Sequence, residues 1–90
     1  MQQNLEYTKT TKDKISRSVG HIQKIKEMID YGRSYTDVLI QLSAVRGALN
    51  GVVNSVLAEL IETQLVTAIL EKDTEQVEQL NHTITKFLKS

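Results

Sequence analysis

Apolar residues recur along the chain at the three- and four-residue spacing of an amphipathic α-helix. After the first such segment comes Gly32, a residue type that easily adopts the left-handed conformation at a helix end. Ser34 and Asp37 then have the spacing of a capping box, in which each side chain satisfies a free backbone N–H near the helix start. The pattern predicts a first helix over residues 9–31 and a second that starts at residue 35. The apolar positions of the first helix are Ile15, Val19, Ile22, Ile25 and Ile29.

The middle segment is apolar over a wide part of its surface. No strong stop signal occurs before residues 71–76, so the pattern predicts one helix over residues 35–71. At about 100° per residue, two apolar stripes lie side by side and cover about half the circumference. A third side carries small residues, which allow another helix to approach closely. The stripes are Val38, Leu42, Val45, Leu49, Val52, Val56 and Leu60, and Leu39, Val53, Leu57 and Ile61; the small residues are Ala44, Gly47, Ala48, Gly51, Ser55 and Ala58.

The last segment begins at Asp73, with Gln76 at the matching capping-box position, and predicts a third helix over residues 74–88. Proline is absent, and no segment alternates polar and apolar residues as a strand does. We therefore expect an all-α fold with a three-helix protomer, in a single domain over residues 1–90. Short links make neighbouring helices antiparallel, so the first two helices form a long hairpin.

The predicted middle helix is too long and too apolar for a compact monomer. About 35 residues span ~50 Å at 1.5 Å per residue, whereas a compact chain of this length has a radius of gyration of ~12 Å. Each exposed Val or Leu forfeits roughly 1.5–3 kcal/mol of burial, so several of them would cancel the stability of a small domain. We therefore expect an obligate helical-bundle dimer at least, and a dimer of dimers beyond it.

Charge is segregated along the chain although the net charge is zero. Residues 1–46 contain eight Lys/Arg and five Asp/Glu, a net of +3, and residues 47–90 contain three and six, a net of −3. The bias is sharpest between Lys9 and Lys26, which indicates either a polyanionic partner or a solvated helix face. Cysteine is absent, which excludes thiolate chemistry. No uninterrupted apolar run approaches the ~18 residues of a membrane span, so we expect a cytoplasmic protein with no membrane partner.

Two motifs carry a resemblance to a known family. Residues 15–21, ISRSVGH, resemble the motif L-x-R-I-x-G-Q, and residues 37–48, DVLIQLSAVRGA, resemble D-[IV]-L-x-Q-[IL]-x-A-[VI]-R-x-A. Both are typical of the small all-helical bacterial repressors of the CsoR/RcnR/FrmR type, which sense copper, nickel or cobalt, formaldehyde or persulfide. The resemblance implies a three-helix protomer, a disc-like homotetramer, and binding of double-stranded operator DNA that an inducer relieves.

The sequence departs from this family at the sensor positions. The sensing cysteine falls on Tyr35, and the H-x-x-x-C pair later in the middle helix falls on Leu60 and Gln64. A further histidine of the nickel/cobalt branch falls on Gln3. None of these side chains is a thiolate or imidazole, so we expect no transition metal at this site and no cofactor. Tyr35, Leu60 and Gln64 either fill the site that the sensor residues form in the family, or they line a pocket for a small organic effector.

Basic residues of the first two helices are the predicted DNA contacts. By resemblance, Lys14, Arg17 and Arg46 contact phosphates or bases, since the planar fork of arginine pairs with two oxygens at once. Lys9 and Lys12 add steering charge. For Arg46 an ion pair within the bundle is the alternative.

Two other functions remain open at this stage. The chain could be a helical partner of a paralogous repressor without strong DNA binding of its own. It could also be a small helical enzyme like the chorismate mutases, with Arg17, Arg33 and Arg46 cradling an anionic substrate. No wider motif supports the second alternative, so we expect a protein that is not an enzyme.

Overall fold

The computed structural model describes residues 5–88, and within this range every regular element is helical. Helix α1 is followed by a long helix that contains one π-helical turn, and a shorter helix closes the chain. This agrees with the predicted all-α, three-helix protomer. The elements are α1 (Lys9–Asp30), α2 (Tyr35–Leu60), the π turn (Ile61–Leu65), α3 (Val66–Leu70) and α4 (Thr74–Leu88).

Helix α1 is capped at both ends by the residues that flank it. The Thr8 hydroxyl accepts a hydrogen bond from the Thr11 N–H at 3.2 Å, which caps the N-terminus. At the other end Gly32 has φ +72°, and the N–H groups of Gly32 and Arg33 donate to the carbonyls of Ile29 and Met28. This pair of bonds is a Schellman motif, so the predicted glycine stop is confirmed.

The start of α2 forms only one half of the predicted capping box. The Ser34 hydroxyl accepts a hydrogen bond from the Asp37 N–H at 3.1 Å. The Asp37 carboxylate instead accepts from Arg33 Nη2 at 3.2 Å. The expectation that Asp37 acts as the reciprocal cap is therefore wrong, because a nearby guanidinium offers the carboxylate a charged partner.

The sequence pattern predicted one continuous α-helix over residues 35–71. The structure differs, because this segment is not α-helical throughout. A π turn separates α2 from α3, with the Val66 N–H donating to the Ile61 carbonyl five residues earlier. Within this turn the Thr63 hydroxyl donates to the Glu59 carbonyl at 2.7 Å. The Thr83 hydroxyl makes the same kind of bond to the Gln79 carbonyl in α4, where the helix is regular, so this bond alone does not explain the interruption.

The chain reverses between α3 and α4 through a second Schellman motif. Lys72 occupies the left-handed position with φ 59°, and the N–H groups of Lys72 and Asp73 donate to the Ile69 and Ala68 carbonyls. The Asp73 carboxylate then accepts from the Gln76 N–H at 3.1 Å and caps α4. The predicted start of the third helix is therefore confirmed, and α4 contacts both α3 and the π turn.

The described residues pack as two units, 5–52 and 53–88, with the boundary inside α2. In the first unit α1 and α2 form the predicted antiparallel hairpin, joined by a contact between His21 and Gln41. The single domain over 1–90 stays a prediction. Buried residues of the first unit are Thr11, Ser18, Ile25 and Val45, and those of the second are Leu57, Ala68, Leu80 and Ile84.

The buried residues of α1 are mostly not the apolar residues that the sequence pattern had identified. Thr11, Ser18 and Ile25, spaced seven residues apart, are buried. The other four apolar positions of the stripe are each more than 40% exposed. Among residues 5–88, therefore, most of the apolar face of α1 is exposed. These four residues are Ile15, Val19, Ile22 and Ile29.

The two apolar stripes of the middle helix differ in burial. Most of the first stripe is buried or half-buried, whereas Leu39, Val53 and Ile61 of the second stripe are exposed. Over Tyr35–Leu70 the mean hydropathy of an 18-residue window reaches 1.4, so by length and composition alone this helix could cross a membrane. The sequence expectation had considered uninterrupted apolar runs only. Core helices of soluble proteins reach the same values.

Candidate nucleic-acid interface

Two of the predicted DNA contacts, Lys14 and Arg17, lie together on the side of α1 that faces α2. Lys14 is half-buried and Arg17 is exposed. They border a groove of about 360 Å³ that is open to solvent. The hairpin thus presents two cations at the edge of a concave surface. The residues that line the groove are Lys14, Arg17, Ser18 and His21 from α1, and Ala48 and Gly51 from α2.

His21 is held in place by a side chain from the opposite helix. Its Nε2 atom lies 2.7 Å from Gln41 Oε1, and with the proton on Nε2 the imidazole donates to the amide oxygen. Both side chains are half-buried. The contact fixes one wall of the groove. Sequence analysis assigned no role to His21, and in the structure it joins the two helices of the hairpin.

Ser18 lies at the bottom of the same groove and is 3% exposed. Its hydroxyl makes no hydrogen bond to any described residue. Buried polar groups are nearly always paired, so this hydroxyl is an exception that needs an explanation. Sequence reasoning missed Ser18. The available signal was its position on one helix face with Lys14, His21 and Ile25, at four- and three-residue steps.

Lys9 and Lys12 lie elsewhere on α1. At about 100° per residue, Lys12 is about 160° around the helix from Lys14, and Lys9 about 140°. Lys9 Nζ is also 3.0 Å from the Asp13 carboxylate in an exposed ion pair. The structure therefore does not bring these two lysines to the groove, and Asp13 offsets part of their positive charge.

Arg46 is exposed and lies on another side of α2. It is about 160° around the helix from Ala48, which lines the groove. Among residues 5–88 it forms no ion pair, so the alternative of an intrachain partner is not observed within one protomer. The structure does not bring Arg46 together with Lys14 and Arg17 within one protomer.

The predicted sensor positions fall in different units of the chain. Tyr35 is 91% exposed at the first turn of α2. It borders a second open groove, of about 770 Å³, whose wall includes Ile29, Val38 and Leu39. Leu60 ends α2 and Gln64 lies in the π turn, and both are half-buried. The Gln3 position lies outside the described residues.

A comparison with protein-family models gives the decisive observation. The model described as "metal-sensitive transcriptional repressor" matches residues 7–86. The chain belongs to this repressor family. The copper-sensing transcriptional repressor CsoR of Bacillus subtilis (strain 168) is 30% identical over 79 residues, which cover 87% of this chain and 78% of that protein. No solved structure matches the chain significantly.

Membership of the repressor family decides several of the sequence expectations. The protein is a transcriptional repressor by family, and the family is not enzymatic, so the chorismate-mutase alternative is wrong. A repressor family also implies DNA binding and oligomerisation. The resemblance found in residues 15–21 and 37–48 is therefore confirmed at the level of the family.

The donor atoms at the predicted sensor positions do not fit a soft or borderline metal ion. Tyr35 offers a phenol, Leu60 no donor, and Gln64 an amide, whereas copper(I), nickel and zinc prefer thiolate or imidazole. Within one chain, no three His, Cys, Asp or Glu side chains of residues 5–88 lie close enough to hold a metal.

Proposed function

We propose that the protein is a DNA-binding repressor that acts as a homo-oligomer in the cytoplasm and no longer senses metal at the usual position. The observation that carries the proposal is the family match over residues 7–86, joined with two cations at an open groove of the hairpin. A copper-sensing role belongs to the Bacillus relative and is not transferred here, because the ligand chemistry differs.

Self-association is supported by apolar side chains that are exposed in the described part of the chain. Leu39 is 64% exposed and Val53 40% exposed on α2, and four isoleucine or valine residues of α1 are more than 40% exposed. Burying such side chains gives roughly 1.5–3 kcal/mol each. A dimer of dimers, with the disc-like shape of the family resemblance, would cover them. The long helix then packs copies of the chain together and does not span a membrane.

In the proposed complex, Lys14 and Arg17 contact the DNA from the groove of each hairpin. Arg46 faces away from that groove within one chain, so it reaches the same DNA only from another copy of the chain. Lys9 and Lys12 contribute steering charge from the flank of α1. Several copies in one assembly would combine their cations into a broad positive surface, which a polyanion needs for tight binding.

Binding to the DNA upstream of the protein's own gene tests the proposal. Arg17→Ala should weaken that binding by about 1–3 kcal/mol if the guanidinium reads a base. Fluorescence anisotropy at fixed salt measures the change. Lys26→Ala is the matched control, because Lys26 is on the same helix but already forms an ion pair with Asp30 at 2.8 Å.

Equal loss with both variants would show that Arg17 acts only through total charge. No binding by the wild-type chain alone, together with binding when a paralogous repressor is added, would contradict the homo-oligomer and favour the hetero-oligomeric partner.

Loss of metal sensing is tested by titration calorimetry. Copper(I), nickel and zinc should bind weakly or not at all at neutral pH, since Tyr35, Leu60 and Gln64 supply neither thiolate nor imidazole. The copper-sensing relative from Bacillus serves as the positive control. Tight binding of any of these ions that disappears in Tyr35→Ala would contradict the proposal. The same titration with small organic metabolites separates a filled site from an effector pocket.

A further inference from the structure

The buried hydroxyl of Ser18 is the most unusual polar group in the described part of the chain. It is shielded from solvent and has no hydrogen-bond partner. On α1 it lies one turn after Lys14 and one turn before His21, so all three side chains share one helix face. A hydroxyl can donate a hydrogen bond, and the cations beside it indicate that its partner is an anion.

The cations at this groove differ from three other basic residues of the hairpin, which form ion pairs. Lys9, Lys26 and Arg33 each pair with a carboxylate four residues further along. Lys14 and Arg17 pair with no carboxylate among residues 5–88. Their positive charge is therefore available to a ligand, and they line the same groove as the unsatisfied hydroxyl.

The opposite wall of the groove leaves room for a ligand. It consists of Ala48 and Gly51, which have almost no side chain. A Cβ atom added at Gly51 would meet no heavy atom within 4 Å. His21, held by Gln41, closes one end. The volume of about 360 Å³ accommodates a small anion with its water.

We propose that this groove binds one tetrahedral oxyanion of the phosphate class. Lys14 and Arg17 supply the charge, and Ser18 donates a hydrogen bond from the floor of the groove. Because the Ser18 hydroxyl is shielded from solvent in the unbound chain, the groove must open slightly for the hydroxyl to reach the anion. The anion is either free, in which case it competes with DNA for the same cations, or it is a backbone phosphate of bound DNA. Only the second case rests on the proposed function.

Inorganic phosphate is the probe for the free anion. The intact chain without DNA is titrated with phosphate against chloride at matched ionic strength, and the amide resonances of Ser18 and His21 are followed by NMR. Ser18→Ala should weaken phosphate binding roughly tenfold, the usual effect of losing a hydrogen bond to a charged group. Ser16→Ala is the matched control, because Ser16 is exposed on another face of α1.

A second pair of variants tests the space in the groove. Gly51→Leu fills it and should abolish phosphate binding, whereas Gly47→Leu should leave binding within about twofold, since Gly47 does not line the groove. Both positions have open space around an added Cβ. Circular dichroism of each variant verifies that the helices are retained.

DNA titrations separate the two sources of the anion. If free phosphate is the ligand, it lowers DNA affinity more than chloride does at equal ionic strength. If the backbone supplies it, free phosphate does not bind, but Ser18→Ala weakens DNA binding and Ser16→Ala does not. The proposal is overturned if phosphate behaves like chloride and both serine variants bind DNA equally. Phosphate binding without any DNA binding would refute the proposed function alone.

Discussion

Two helices of this repressor end in the same backbone geometry with different residues at the left-handed position. Gly32 has φ +72° after α1, and Lys72 has φ 59° after α3. A side chain with a Cβ atom is strained in this region, whereas glycine is not. The helix end at Gly32 could be predicted from the sequence, because glycine is the residue type that favours this conformation. The left-handed turn at Lys72 could not, because the hydrogen bonds of the Schellman motif impose it on an ordinary residue.

Lys72→Gly should stabilise the fold. Glycine removes the strain of the left-handed conformation, and part of that gain is lost to its greater freedom in the unfolded chain, which leaves about 0.5–1 kcal/mol. Urea denaturation monitored by circular dichroism measures the difference. The matched variant is Gly32→Ala, which should destabilise by a similar amount. A loss of stability in Lys72→Gly would show that the lysine side chain makes a contact worth more than the strain.

The capping residues show how far the sequence determines local structure. Ser34 and Asp73 were predictable as caps because their spacing to the next helix matches a known motif, and the structure confirms both. The partner of Asp37 was not predictable, since its carboxylate can accept a hydrogen bond either from a backbone N–H or from the Arg33 guanidinium. Ser18 was also missed. A serine in a helix is ordinary by sequence, and only packing reveals that its hydroxyl is buried alone.

At the scale of elements, the pattern of the middle helix predicted an apolar surface that stays exposed among the described residues. Two apolar stripes were expected, too wide a surface for a compact monomer. In the structure Val45 of the first stripe is buried, whereas Leu39 and Val53 of the second are exposed. Binary patterning was enough here because the width of an apolar face follows directly from residue order.

Val53→Glu should weaken self-association. A carboxylate at this position would have to be buried without a partner when two copies meet, at a cost of several kcal/mol. Sedimentation velocity at micromolar concentration should show a shift toward smaller species. Asn54→Glu is the control, as it introduces the same charge about 100° around α2 on the exposed polar side. The same assembly in both variants would place the interface elsewhere.

The π turn was beyond sequence reasoning for a different reason. Residues 61–65, IETQL, have ordinary helix propensities, and no glycine or proline marks an interruption. The Thr63 hydroxyl donates to the Glu59 carbonyl within the turn, and the Thr83 hydroxyl makes the same kind of bond to Gln79 in the regular helix α4. Because such a bond occurs in interrupted and regular helices alike, a threonine in the sequence does not mark where a π turn forms.

At the scale of the whole molecule, the net charge of zero conceals a positive half and a negative half. Residues 1–46 carry +3, and three of their basic residues are paired with carboxylates on the surface. Exposed pairs of this kind contribute little to stability. Among the described residues Lys14 and Arg17 form no such pair and remain as two unpaired cations at the groove. An assembly of several chains would contain several copies of this pair of cations.

DNA affinity should therefore fall steeply with salt. Each phosphate neutralised contributes about −0.9 to the slope of log K against log salt, so several copies of Lys14 and Arg17 give a slope of several units. Arg17→Ala should reduce the slope as well as the affinity. Anisotropy titrations between low and physiological salt measure both. An affinity that does not change over this range would exclude a phosphate-dominated interface.

The family could be predicted from the residues 15–21 and 37–48, but the site could not be placed in space. Lys14 and Arg17 were named together because both match the family, and the structure does bring them to one groove. Arg46 was named on the same ground and lies about 160° away around its helix. A motif gives residue types, whereas the relation between two faces depends on how the hairpin packs and on further copies of the chain.

The uncovered apolar side chains of α1 and α2 also affect the fate of the protein in a cell. A newly made chain that has not met a second copy displays the kind of surface that chaperones and proteases recognise. We expect solitary chains to be degraded faster than assembled ones. Because assembly depends on concentration, halving the amount synthesised removes more than half of the working regulator. The gene it controls would respond sharply to how much of this protein is made.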